Sequence, residues 1–189
     1  MDNYPNDLAP DFTETGAVAT AFEEWWPTVR HAFPHVPTNV ARYWLHEHWG
    51  CSPFGWLPSA NYRFRLIRWP APDLRLIRSE SCDFDPNNQE CHEHGDYLIN
   101  SNELGGKYPT AIYMDQHGDF PTPIIVLDNR DGHLEHEAGS MSMCRDIPHA
   151  YILIEGHRRF DMALYLESVG RFVCETSIWL MERPSGCFP

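Results

Sequence analysis

Lysine is almost absent from this chain: one Lys, Lys107, stands against thirteen Arg in 189 residues. That bias follows genome composition as readily as function and carries little weight. Positive charge as a whole is also scarce. The formal net charge is −13, which argues against a protein that coats DNA or RNA, because affinity for phosphate backbones comes mainly from neutralising charge. Long hydrophobic runs are missing too. No window approaches the roughly 18 continuous apolar residues of a membrane span. Residues 1–11 are polar, acidic and proline-bearing. They lack a basic n-region and an apolar h-region, do not read as a signal peptide, and are expected to be disordered. No internal repeat is visible. Without a secretion signal, a cytoplasmic setting is expected, with free thiols at Cys51, Cys82, Cys91, Cys144, Cys174 and Cys187. Cys51, Cys144 and Cys174 sit in mixed or apolar contexts and are expected to pack rather than ligate.

Apolar residues make up 42% of the chain, with seven Trp and ten Phe, enough for a substantial core. The length suits one domain, or one domain with an extension. Residues 12–60 read as a helical extension. Helical composition over 17–26 is interrupted by Pro27. Thr38 suits the N-cap of a second helix over 39–49, ended by Gly50. Residues 61–189 read as an α/β domain. Residues 62–69 alternate Tyr62, Phe64 and Leu66 with Arg63 and Arg65, as a half-buried strand does. The sheet is expected to resume over 74–78. Residues 80–107 are polar, show no period and read as a long excursion. Residues 122–127 and 150–154 are continuous apolar runs of the kind buried on both faces. Between them, 129–144 is a loop rich in Asp, Glu, His and Gly. A helix over 157–169, stopped by Gly170, then leads to a strand over 172–181 and a tail.

The most informative stretch is Tyr151-Ile152-Leu153-Ile154-Glu155-Gly156-His157-Arg158-Arg159-Phe160. It reads as a buried strand, a glycine turn and two arginines opening a helix. A helix N-terminus presents backbone N–H groups and the positive end of the dipole. Glycine admits a ligand close to the backbone, and arginine supplies donors that suit phosphate oxygens. The glycine turn with Arg158 and Arg159 therefore reads as an anion site, most plausibly for phosphate. Glu155, at the strand end, is a candidate for Mg²⁺ or for general-base work. Asp128 ends the other central strand, and ligands in open α/β sheets gather at strand carboxyl ends. His157 is a third catalytic candidate, and Asp161, one turn into the helix, a weaker one.

Glu155-Gly156-His157-Arg158-Arg159 resembles the Gly-x-x-Arg turn of the ParB/sulfiredoxin superfamily. Gln116-His117-Gly118-Asp119-Phe120-Pro121-Thr122-Pro123-Ile124-Ile125-Val126 is similar to the segment where ParB-like domains carry "HG…QPIIV" before a strand. The two motifs span roughly residues 110–181 in the family's order. The resemblance implies a compact mixed α/β sheet that binds nucleotide phosphates, ATP or CTP with Mg²⁺, at the turn, with Gly156, His157, Arg158 and Arg159 as the phosphate-binding candidates. It departs from the family in two places. His157 stands where sulfiredoxins carry their catalytic Cys, and no helix-turn-helix region follows. The N-terminal hundred residues match no part of the family.

Other clusters carry less. Cys82, Cys91, His92 and His94, flanked by Asp83, Asp85, Glu90 and Glu93, could ligate zinc, but at no standard spacing. His46 and His48 fall about 200° apart on a helix and cannot share an ion. His133 and His136 lie in an acidic loop. Arg63, Arg65, Arg68, Arg75 and Arg78, interleaved with Tyr62, Phe64 and Trp69, suit either a nucleic-acid surface or, preferably, the polar face of an edge strand. The reading is a nucleotide- or phosphate-binding domain, its enzyme activity, if any, being phosphoryl transfer or nucleotide hydrolysis. A nuclease or nucleic-acid binder at the same anion turn, and a non-catalytic partner of another protein or a second subunit, stay open. No membrane association is expected.

Overall fold

The structure, a computed structural model, describes residues 1, 3–101, 108–134 and 146–184. The chain forms two compact units, Met1–Phe64 with Met181–Pro189, and Arg65–Leu180.

In the first unit, α1 (Phe22–Val29) buries Phe22, Trp25 and Val29 and carries Pro27 inside rather than stopping at it. The second helix, α2 (residues 38–46), is α-helical over Thr38–Val40 and widens to a π-helical turn over Ala41–His46. Residues 1–11, expected to be disordered, are instead held by specific contacts. The Tyr4 ring lies against Phe33 and Trp49. The Tyr4 hydroxyl donates to Leu57 O at 2.8 Å and accepts from Ser59 N at 2.7 Å. Trp25 Nε1 donates to Leu8 O. Aromatic rings that bury this much surface also place a polar atom that needs a partner, and the polar N-terminal segment supplies it.

The chain builds a mixed five-stranded sheet in the order β1-β5-β3-β4-β2. The strands are β1 (Arg63–Pro70), β2 (Ile77–Arg78), β3 (Ile124–Asp128), β4 (Tyr151–Glu155) and β5 (Glu175–Glu182). The apolar runs sit where their composition demands. Ile124, Ile125, Val126 and Leu127 of β3 are buried, as are Ile152, Leu153 and Ile154 of β4. Each such side chain contributes about 1.5–3 kcal/mol relative to exposure. β2 runs parallel to β4, with Ile77 beside Tyr151, whereas β3 is antiparallel to β4, with Asp128 beside Tyr151 and Ile125 beside Glu155. β1 is an edge strand, and its arginines meet acceptors. Arg63 pairs with Glu182 at 3.5 Å, and Arg68 reaches Glu175 through its side chain and backbone.

Residues 80–101, the described part of the expected excursion, correct the sequence reading. Within them lies α3 (Gln89–Asn100), which buries Cys91, Gly95, Leu98 and Ile99. It crosses the helix after β4, α5 (His157–Ser168). At the crossing a Cβ built on Gly95 would lie 2.0 Å from Asp161 O, so only a hydrogen fits and the two backbones touch. Between them in sequence is α4 (Pro109–His117), with proline in its first turn and Gly118 at φ +61° closing it.

Candidate functional site

The Gly156 turn forms where β4 leaves the sheet. Gly156 adopts φ +101°, and a Cβ there would lie 2.6 Å from Ile124 Cγ2 and 3.2 Å from Arg159 Nη2. Only glycine combines that dihedral with that space. α5 starts at once, and no side chain caps it and no acidic residue stands in its first turn. The positive end of a twelve-residue helix is thus presented at the strand end.

The two arginines divide. Arg159 is buried, its Nη1 donating to Thr122 O at 2.9 Å and to Thr122 Oγ1, its Nη2 donating to Glu155 Oε2. Its guanidinium, expected to face a phosphate, ties the residue before β3 to the end of β4 as a brace. Glu155 is the other half of that brace. Arg158 is exposed, with its guanidinium 5.1 Å above the Tyr108 ring.

His157 Nδ1 lies 3.1 Å from Ser79 Oγ, which lies 2.8 Å from Ser81 Oγ. Ser79 is buried and Ser81 exposed. They join the turn because β2 and β4 are parallel, so the chain leaves both strands in the same direction. The sequence reading missed both serines. They are 78 and 76 residues from His157, and the only local signal is a Ser-Glu-Ser sequence after a two-residue strand.

Asp128 lies elsewhere. Because β3 and β4 are antiparallel, its carboxyl end is at the amino end of β4, four register positions from Glu155. There Arg130 grips it through Nε at 2.8 Å and Nη2 at 2.7 Å. This hydrogen bonding, against a smaller opposing effect of burial, holds the Asp128 carboxyl below the usual range. Asp128 and Glu155, both expected at the phosphate site, therefore stand at opposite ends of the β3–β4 pair.

The cysteine segment differs most from expectation. Cys82 and Cys91 form a disulfide with Cα atoms 6.0 Å apart, where free thiols were expected. The 80–91 segment turns through left-handed residues Asp83, Phe84 and Asn88, which folds Cys82 back over α3. Asp161 is buried beside the sulfurs. Its Oδ2 accepts from His94 Nδ1 at 2.8 Å, and its Oδ1 has no partner. Burial raises its carboxyl to about 6, the His94 contact working in the other direction. His92 turns away, its Nε2 lying 2.9 Å from Ser168 Oγ. Cys51 and Cys174, expected to pack, are exposed; Cys144 and Cys187 lie outside the described residues.

Three further histidine candidates have local contacts. His46 Nε2 lies 2.8 Å from Thr20 O, His48 Nδ1 lies 3.6 Å from Cys51 Sγ, and His133 Nδ1 lies 2.5 Å from Asp131 Oδ1. His136 lies outside the described residues. Arg78 donates to Arg75 O and Ile77 O, and burial lowers its pKa.

No family model, no curated protein and no solved structure matches the chain.

Proposed function

We propose that the chain binds a phosphorylated small molecule, of the nucleoside triphosphate class such as ATP or CTP, at the Gly156 turn. The observation that carries this reading is an uncapped, acid-free helix start behind a glycine turn, with Arg158 exposed beside it. Phosphate oxygens suit the dipole, the guanidinium and the hydroxyl of Ser81 together. The Gly-x-x-Arg resemblance to ParB/sulfiredoxin-like domains points the same way. Arg158 contacts the phosphate, His157 and Ser81 supply polar groups beside it, and Arg159 with Glu155 holds the turn in shape.

Mg²⁺ held by protein carboxylates does not fit here. Glu155 is engaged by Arg159, and Asp128 is at the far end of β4. A nucleotide would bring Mg²⁺ on its own phosphates, a common mode for this ion. Phosphoryl transfer or hydrolysis is the enzyme class that suits such a site, since that chemistry asks mainly for positioning and charge stabilisation. The nucleic-acid reading gains nothing from the Arg63–Arg78 segment, where Arg63, Arg68 and Arg78 all meet acceptors within the protein.

The test is thermal stabilisation by ATP, CTP, GTP and ADP, with and without Mg²⁺, for wild type and Arg158→Ala. A ligand at 100 times Kd adds about 2.7 kcal/mol. A shift with one nucleotide that disappears in Arg158→Ala is the expected result. No shift with any nucleotide at low ionic strength removes the reading and leaves protein partnership as the stronger one.

A further inference from the structure

Cys82, Cys91 and Asp161 each offer one ligand atom, and these atoms lie within 4.8 Å of one another. All three residues are buried. The disulfide leaves this cluster chemically unfinished. Neither sulfur of a disulfide carries a proton, so nothing there donates to Asp161 Oδ1, and that oxygen is orphaned in the interior. A buried acceptor without a partner is costly, and native proteins rarely keep one without cause. The other carboxylate oxygen is oriented by His94 at 2.8 Å. A metal-bound carboxylate is characteristically held in this way by an outer hydrogen bond.

We infer that Cys82, Cys91 and Asp161 form a zinc site in the reduced protein, with His94 as the outer-shell partner of Asp161, and that the disulfide is the oxidised alternative. Two thiolates and one carboxylate oxygen are a donor set that borderline-soft Zn²⁺ accepts and hard Mg²⁺ or Ca²⁺ does not. His92, held toward Ser168, is not a ligand. The two states interconvert in balanced steps. A phosphine reductant cleaves the S–S bond, taking oxygen from water to become the phosphine oxide and leaving two thiols. Zn²⁺ then displaces two thiol protons and binds two thiolates. In the reverse direction an oxidant of the disulfide class takes the two electrons, and the metal is released. The close backbone contact at Gly95 fixes α3, which carries Cys91 and His94, against α5, which carries Asp161. The site adjoins the phosphate turn through Ser81, whose Oγ lies 3.8 Å from Cys82 Sγ, but its three ligands are not residues of the turn.

Cobalt(II) is the probe. The full chain is prepared with Cys51, Cys144, Cys174 and Cys187 replaced by Ser, so that other thiols cannot contribute. It is reduced with a phosphine without oxygen and titrated with Co²⁺. The expected result is one equivalent bound, with sulfur-to-metal charge-transfer absorption and tetrahedral visible bands, both bleached by Zn²⁺. The oxidised chain shows neither. Asp161→Asn and His94→Ala each weaken binding about tenfold or more, while the disulfide still forms on oxidation. Circular dichroism runs alongside, so a chain that unfolds on reduction and refolds with Zn²⁺ also supports the site. Absence of charge-transfer absorption in the reduced chain overturns the inference. So does an Asp161→Asn chain that binds Co²⁺ as tightly as its parent.

Discussion

β3 ends in Asp128 and β4 ends in Glu155, and an arginine that follows grips each carboxylate, Arg130 two residues on and Arg159 four residues on. Read along the chain, the two ends look like variants of one device. In space they differ in the property that decides their energetics. Arg130 is 59% exposed in its side chain over a 19% exposed Asp128, whereas Arg159 and Glu155 are exposed by 10% and 12%, so the difference lies in the arginines. The surface pair competes with water and loses most of its value. The buried pair has given up its hydration, so each partner depends on the other. The same residue types thus make an ornament at one end and a brace at the other, and the brace shapes the turn that presents Arg158.

Breaking the brace gives the largest effect. Arg159→Ala leaves Glu155 buried without its cation and is expected to lower unfolding free energy by about 3–5 kcal/mol, read from urea denaturation. Adding Glu155→Gln should recover part of the loss; a single variant as stable as wild type would show that the pair braces nothing. Next comes Gly156→Ala, which places a Cβ against Ile124 at a left-handed dihedral. A cost of about 1–3 kcal/mol is expected, with weaker nucleotide stabilisation because the helix start must shift.

The β3 end should respond far less. Asp128→Asn is expected to cost roughly 0.2–1 kcal/mol. The Asp128 carboxyl is held below its usual value in the folded state, so its contribution is present above the unfolded value. It fades as pH falls through the folded one. The stability gap between wild type and Asp128→Asn should therefore be constant above about pH 5 and close below about pH 4. A gap that widens on acidification would reverse the assignment. Smallest is Arg158→Ala, expected to leave stability within about 0.5 kcal/mol while removing the nucleotide shift. Loss of stability comparable to Arg159→Ala would mean that both arginines are structural.

Much of the sheet was legible in the sequence because burial on both faces writes itself as unbroken apolar runs, as at Ile124–Leu127 and Ile152–Ile154. The helix after Gly156 was legible for the same reason, through Phe160, Ala163, Leu164 and Leu166. The direction of the strands was not. Nothing in the residues of β3 says that it runs against β4, and that one fact separates Asp128 from Glu155. α3 was hidden because its buried face is Cys91, Gly95, Leu98 and Ile99, two of them small and one a helix-disfavouring glycine. The serines at the turn and the Cys82–Cys91–Asp161 cluster come from residues brought together by a parallel strand pair and a helix crossing, neither of which leaves a local trace. The two arginines of the turn stand side by side in the sequence, but adjacent positions on a helix face different ways. That divided their fates between solvent and core.

Gly95 carries a warning for anyone who would engineer this chain. Replacing glycine with alanine inside a helix is a standard way to gain up to about 1 kcal/mol of propensity, and α3 would be an obvious target for it. Here the added methyl would occupy the space of a main-chain carbonyl on α5. The substitution that makes α3 a better helix on its own would prise it off its neighbour.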